Sequence, residues 1–181
     1  MKTFTEKEVE CESVFRKEGP YWHLYTDGTV MENVFISDEM MKCAMTALAV
    51  EAILNPNVKI ITFELMANHI HLILAGSREA ILEFFNAFRQ RIIRIFRNLG
   101  VMADWSKFQA SILPIDSLKS LRNEIVYVNR NAFVACSDYT PQNDTPIRKT
   151  GVFTDGKIIK FSHPIDLHLL YHRHKAGRAA P

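Results

Sequence analysis

Apolar and polar positions alternate through Tyr21-Trp22-His23-Leu24-Tyr25-Thr26, which reads as a strand stopped by the turn pair Asp27-Gly28. The period then lengthens. Met41, Met45, Leu48, Ala49 and Ala52 recur at helical spacing, with capping groups at Ser37 and Asp38, Glu39 in the first turn, and Asn55-Pro56 ending the helix near Leu54. β-branched and aromatic residues over 58–65 predict a second strand; after Met66-Ala67-Asn68 a third covers 69–75 and breaks at Gly76. Ser77 caps a helix whose apolar stripe is Ile81, Phe85, Phe88, Ile92, Phe96 and Leu99, ending at Gly100. A weaker strand over 107–113 follows. Asp116 or Ser117 then caps a last helix carrying Leu118, Leu121, Ile125 and Val128. The order predicts an α+β fold, a ferredoxin-like sandwich: an antiparallel sheet with helices on one face, plus a C-terminal helix.

The flanks read differently. Residues 1–18 form a polar leader before Gly19-Pro20, and 19–140 make the folded domain. From Pro141-Gln142-Asn143-Asp144-Thr145-Pro146 onward the pattern is that of a linker, with a hairpin over 152–161 about Asp155-Gly156 and a mobile basic end. At 181 residues, 48% hydrophobic and 23% charged, the chain has the size and make-up of one soluble domain. Cys11, Cys43 and Cys136 are odd in number and far apart, which fits a reducing cytoplasm rather than a disulfide framework. No apolar run approaches the roughly 20 residues of a membrane span. The net charge is only +2, so any grip on nucleic acid has to come from local clusters of Lys and Arg.

The chemistry concentrates in two places. In Asn68-His69-Ile70-His71-Leu72-Ile73-Leu74, strand alternation sends Ile70, Leu72 and Leu74 to the helix-covered core and His69 and His71 together to the open face. Two neutral imidazoles on a rigid strand are half of a metal site. The plain alternative is two ordinary surface histidines, since His172-Arg173-His174 repeats the spacing in a charged, tail-like setting. In the last helix Tyr127 and Asn131 stand one turn apart on one face, presenting a phenol and an amide together. A tyrosine at the edge of the core and an asparagine at a helix end would look the same.

Three segments in this order carry a family likeness. Trp22-His23-Leu24-Tyr25, Met66-Ala67-Asn68-His69-Ile70-His71-Leu72-Ile73-Leu74 and Leu121-Arg122-Asn123-Glu124-Ile125-Val126-Tyr127-Val128-Asn129-Arg130-Asn131-Ala132 resemble the single-tyrosine HUH transposases, especially the REP-associated tyrosine transposase branch. The resemblance covers residues 21–140. It implies that His69, His71 and Asn131 hold a divalent metal, Mg²⁺ or Mn²⁺, and that Tyr127 on a catalytic helix attacks DNA to form a 5′-phosphotyrosine link. It also implies single-stranded or hairpin DNA as partner, and leaves a homodimer open. Ala132 and Ala67 stand where the family usually has proline.

For gripping DNA, Arg91, Arg94 and Arg97 recur every third residue opposite the apolar stripe, while Lys107, Arg122 and Arg130 lie nearer the tyrosine's element. The rival expectation is a non-catalytic module that binds single strands on its sheet, or a domesticated relative on the same fold. Such a module wants aromatic residues on the open face, where this chain has histidines.

Overall fold

The computed structural model describes residues 6–134, 149–154 and 157–160. Its elements are α1 (Glu6–Glu18), β1 (Tyr21–Thr26), α2 (Asp38–Leu54), β2 (Lys59–Leu65), β3 (Ile70–Ala75), α3 (Arg78–Asn98), β4 (Ala110–Ile115), α4 (Leu118–Val134), β5 (Lys149–Thr154) and β6 (Lys157–Lys160). Local signals set most boundaries. Ser37 accepts a hydrogen bond from Met40 N at 3.2 Å and Ser77 one from Ala80 N at 3.2 Å, so both helices start where their capping groups stand. Ser117 does the same for Ser120 N at 3.1 Å. α3 stops at Asn98, and Gly100 just beyond it has a left-handed φ of 76°.

The sheet runs β4-β1-β3-β2-β5-β6, antiparallel at every pairing. Its first four strands have the order and split β-α-β connections of a ferredoxin-like sandwich. α2 and α3 cover one face. Their stripes meet Leu24, Phe63, Ile70, Leu72 and Leu74 in the main core. The opposite face carries Tyr21, Ile73, Ala75 and Ile115, and α4 closes over it with Leu121 and Val128. The face expected to be open beside the histidines is therefore roofed by the last helix, because the stripe at Leu121, Ile125 and Val128 needs an apolar surface and this is the one α2 and α3 leave. A bulge in β2 between Ile60 and Thr62 corrects the strand's parity. Ile60 and Phe63, an odd number apart, both reach the main core, while Thr62 and Glu64 fall on the α4 side.

Three expectations shift. The polar leader contains the helix α1, whose Phe15 ring stacks on Tyr21 at 4.9 Å, so residues 6–18 are joined to the sheet domain. The weak strand begins at Ala110, three residues late. Asp104 accepts from Ser106 N and Oγ and shapes a 3₁₀ turn over Trp105–Lys107 first. That turn buries Trp105, and Phe108 follows it into the main core. The expected hairpin is present as β5 and β6, with Thr154 opposite Lys157, and β5 extends the sheet at the β2 edge. Cys136, Tyr139, His168, Tyr171, His172 and His174 lie outside the described residues. Among the described residues no helix is long and apolar enough to cross a membrane.

Arg91 has a partner inside the fold. Its Nε donates to Glu51 Oε1 at 2.6 Å, and Glu51 is buried, with Asn55 Nδ2 on its other oxygen at 3.2 Å. Arg91→Ala is expected to cost about 1–3 kcal/mol, read as a lower urea midpoint, because it strands a buried carboxylate. Arg91→Ala with Glu51→Leu should recover most of that loss. Equal stability of Arg91→Ala and wild type would show that the pair contributes nothing.

Candidate active site

The residues that meet beneath α4 come from three strands. Register places Tyr25 of β1, His71 of β3 and Glu64 of β2 side by side on one face, with His23 two residues from Tyr25 on the same face. His71 and His23 are buried, at 7% and 5% exposure. Tyr127 reaches down from α4. Its ring lies edge-on to His71 at 5.8 Å and to His23 at 6.0 Å, yet the residue is 51% exposed. Tyr25 stacks against His71 from the side at 6.0 Å. His69, just before β3, sets its ring at 5.2 Å and 82° to that of His71.

Hydrogen bonds decide where the imidazole protons sit. Asn68 Nδ2 donates to the backbone carbonyls of Gly28 at 2.7 Å and Met31 at 3.0 Å, so its amide can be oriented only one way. The remaining Oδ1 faces His69 Nδ1 at 2.7 Å, and since it can only accept, Nδ1 must carry the hydrogen. A neutral His69 then has its lone pair on Nε2. The second chain begins on α4. The Glu124 carboxylate accepts from His23 Nδ1 at 2.8 Å, and His23 Nε2 lies 3.0 Å from His71 Nδ1. Burial pushes His23 below its ordinary value although Glu124 pulls the other way. Burial first, then the neighbouring His23 and His69, push His71 down to about 3. With both rings neutral, His71 Nδ1 donates to His23 Nε2, and the lone pair of His71 also stands on Nε2.

One glycine makes room for this arrangement. A Cβ at Gly28 would stand 2.5 Å from His69 Nδ1 and 3.0 Å from the ring carbons Cγ and Cε1. The turn closed by Asp27, which accepts from Thr29 N at 2.8 Å, therefore seats the imidazole in the space a side chain would fill.

Asn131 is one turn beyond Tyr127 on the same helix, and its Nδ2 is buried without a hydrogen-bond partner. A buried donor left unmade costs about 1–3 kcal/mol. Turned over, the amide presents Oδ1 at that position, an oxygen that a cation would satisfy. Two imidazole Nε2 lone pairs and one amide oxygen would make a mixed nitrogen and oxygen donor set, which suits Mn²⁺ better than Mg²⁺. Among the described residues no three His, Cys, Asp or Glu side chains form a metal cluster by themselves, so the amide matters to the fit.

The basic residues divide. Arg122 and Arg130 are exposed on α4, on either side of Tyr127. Arg94 and Arg97 lie on α3, behind the sheet from the histidines, where they line a groove of about 680 Å³ with Arg89, Asp104 and Trp105. Lys107 is on that side too, 3.5 Å from Asp104. Arg91 is tied to Glu51. His23, Tyr25, Asn68, Glu124 and Gly28 were not singled out from the sequence. For His23 and Tyr25 the signal was there: alternation puts both on the face opposite Leu24.

No protein-family model and no curated protein sequence matches the chain. Among solved structures it is similar to a REP-associated tyrosine transposase bound to a REP hairpin, with 14% identity and a TM-score of 0.53, over 72% of this chain and 76% of that one. A candidate transposase from Deinococcus radiodurans aligns at 16% identity and a TM-score of 0.41, over 61% of this chain and 89% of that one. At such identities the likeness is one of architecture, and the chain has the fold of the REP-associated tyrosine transposase.

Proposed function

We propose that the chain is a metal-dependent endonuclease and strand transferase for single-stranded or hairpin DNA, working through a 5′-phosphotyrosine intermediate on Tyr127. One observation carries the reading: a half-exposed phenol held edge-on over two buried imidazoles, on a helix anchored to one of them. A tyrosine there is open to a strand passing over the surface and close to groups that can hold a cation beneath it.

In the proposed step Tyr127 Oη attacks a backbone phosphorus in line with the 3′ oxygen. The Oη–P bond forms as the P–O3′ bond breaks; the phenol gives up its proton, and the departing oxygen takes one up as a 3′-hydroxyl. One phosphodiester replaces another, so a second 3′-hydroxyl can reverse the step and join a new strand without ATP. His69, His71 and Asn131 would hold a divalent cation, Mg²⁺ or Mn²⁺, which when bound would supply Lewis-acid polarisation of the phosphate and of the leaving oxygen. The nucleophile's ring rests edge-on over His71 and His23, and Leu121 and Val128 anchor the helix to the sheet. Arg122 and Arg130 are the cations best placed to contact the backbone near the cleaved bond, while Arg94, Arg97 and Lys107 would meet a longer or folded strand that rounds the sheet edge.

The test is direct. Full-length protein is incubated with labelled single-stranded and hairpin oligonucleotides and Mn²⁺, then run under denaturing conditions. A hairpin is the first form to try, because the solved transposase of this fold was captured on one. A covalent protein–DNA band with a free 3′-hydroxyl fragment is expected. DNA bound but intact on every substrate would favour the non-catalytic module, although α4 covers the sheet face such a module would use.

A further inference from the structure

Neither His23 nor Glu124 is a candidate ligand or nucleophile, yet both stand between the two groups that are. Glu124 sits one turn before Tyr127 on α4, and its Oε2 takes the Nδ1 hydrogen of His23 at 2.8 Å; His23 Nε2 faces His71 Nδ1 at 3.0 Å. The chain of bonds thus starts on the helix that carries the phenol and ends on a strand imidazole. With both imidazoles neutral, only one proton arrangement satisfies all of it. A carboxylate that accepts fixes the hydrogen of His23 on Nδ1; His23 Nε2 must then accept, which fixes the hydrogen of His71 on Nδ1 as well. Remove the acceptor at 124 and His23 is free to carry its hydrogen on Nε2. It would then donate to His71 Nδ1, and the proton of His71 would move to Nε2, blocking the atom that faces a cation.

We propose that Glu124 and His23 are positioning residues that set the tautomer of His71, so that seating the helix α4 and opening a metal-binding nitrogen on β3 are a single event. The inference rests on the metal-dependent reading of the site given above. Its consequence is that a residue on the nucleophile's helix controls metal affinity without touching metal. Outer-shell partners of this kind change metal affinity by about 10- to 100-fold.

Two measurements on the full chain test it. In metal-free wild-type protein, long-range nitrogen–proton NMR of the imidazoles should show His71 protonated on Nδ1 and His23 on Nδ1; His71 protonated on Nε2 overturns the proposal with no variant needed. Mn²⁺ titration by electron paramagnetic resonance should then show Glu124→Ala weakened by about 10-fold or more. Glu124→Gln keeps an oxygen that can accept from Nδ1 and should regain most of the affinity. A merely structural role would not separate these two variants if both fold, so equal affinity in Glu124→Ala and wild type, or Glu124→Gln as weak as Glu124→Ala, overturns it. Failure of the enzymatic reading looks different: Mn²⁺ affinity would follow residue 124 as described, while no wild-type preparation attaches to DNA.

Discussion

Tyr127→Phe is expected to abolish covalent attachment to DNA and leave the fold and strand binding intact. The substitution removes one oxygen and keeps the ring, so the edge contacts to His71 and His23 at 5.8 and 6.0 Å survive. The residue is half-exposed, and losing a solvated hydroxyl should change stability by no more than about 0.5 kcal/mol. Tyr127 is the one tyrosine on α4, so the adduct should fall below detection at any Mn²⁺ concentration. Tyr25→Phe is the natural control. Tyr25 also touches His71, at 6.0 Å, but it belongs to a strand and lies beside the imidazole rather than above it. It should still attach. An adduct formed by Tyr127→Phe and lost in Tyr25→Phe would mean that the nucleophile comes from β1 and that α4 has only a structural part.

The second large effect is expected at His69. His69→Ala removes a part-buried ring whose Nδ1 is held by Asn68 at 2.7 Å, and with it one of the two imidazole donors. Adduct formation should drop by about 10²–10³-fold, the loss typical when a group stabilising developing charge is deleted. High Mn²⁺ should recover part of it, in contrast to the phenylalanine variant, because the nucleophile is still present. Gly28→Ala makes the same point without touching the imidazole. Its Cβ would press within 2.5 Å of His69 Nδ1, so the ring has to leave its seat and lose Asn68. Weaker Mn²⁺ binding is expected in both variants. Wild-type binding in both would remove His69 from the ligand set.

Much of this was legible in the chain because its signals are local. The caps at Ser37 and Ser77, the alternation of Ile70, Leu72 and Leu74 against the histidines, and the stripe from Ile81 to Phe96 all act within a few residues, and the structure keeps them. What escaped depends on register between distant segments. That His23 meets His71 follows from Tyr25 pairing with His71 across β1 and β3, a fact of sheet pairing with a sequence separation of 48 between the two histidines. Phe15 is the apolar anchor of a segment too rich in Glu and Lys to read as packed, and its partner Tyr21 lies beyond Gly19-Pro20. The pairing of β5 with β2 escaped for the same reason as the histidine pair. That the last helix lies by the histidines was implied only by the family likeness, which joins Asn131 to His69 and His71; the apolar stripe at Leu121, Ile125 and Val128 does not by itself say which face it covers.

Gly28 has a meaning in terms of drift. Its backbone is not left-handed, so no local strain demands glycine there; the demand is purely that of space for a neighbouring ring. Glycine elsewhere in a chain is a small burden, about 0.4–1 kcal/mol against a residue with a side chain. A descendant that stopped using its imidazole could gain that stability by filling the position, offset by the loss of His69's seat and of its hydrogen bond to Asn68. His71 could linger long afterwards, since it is buried and hydrogen-bonded to His23. In this lineage position 28, which has no chemistry of its own, would lose its identity before the residues that do, and a side chain found there in a related sequence would mark a site already abandoned.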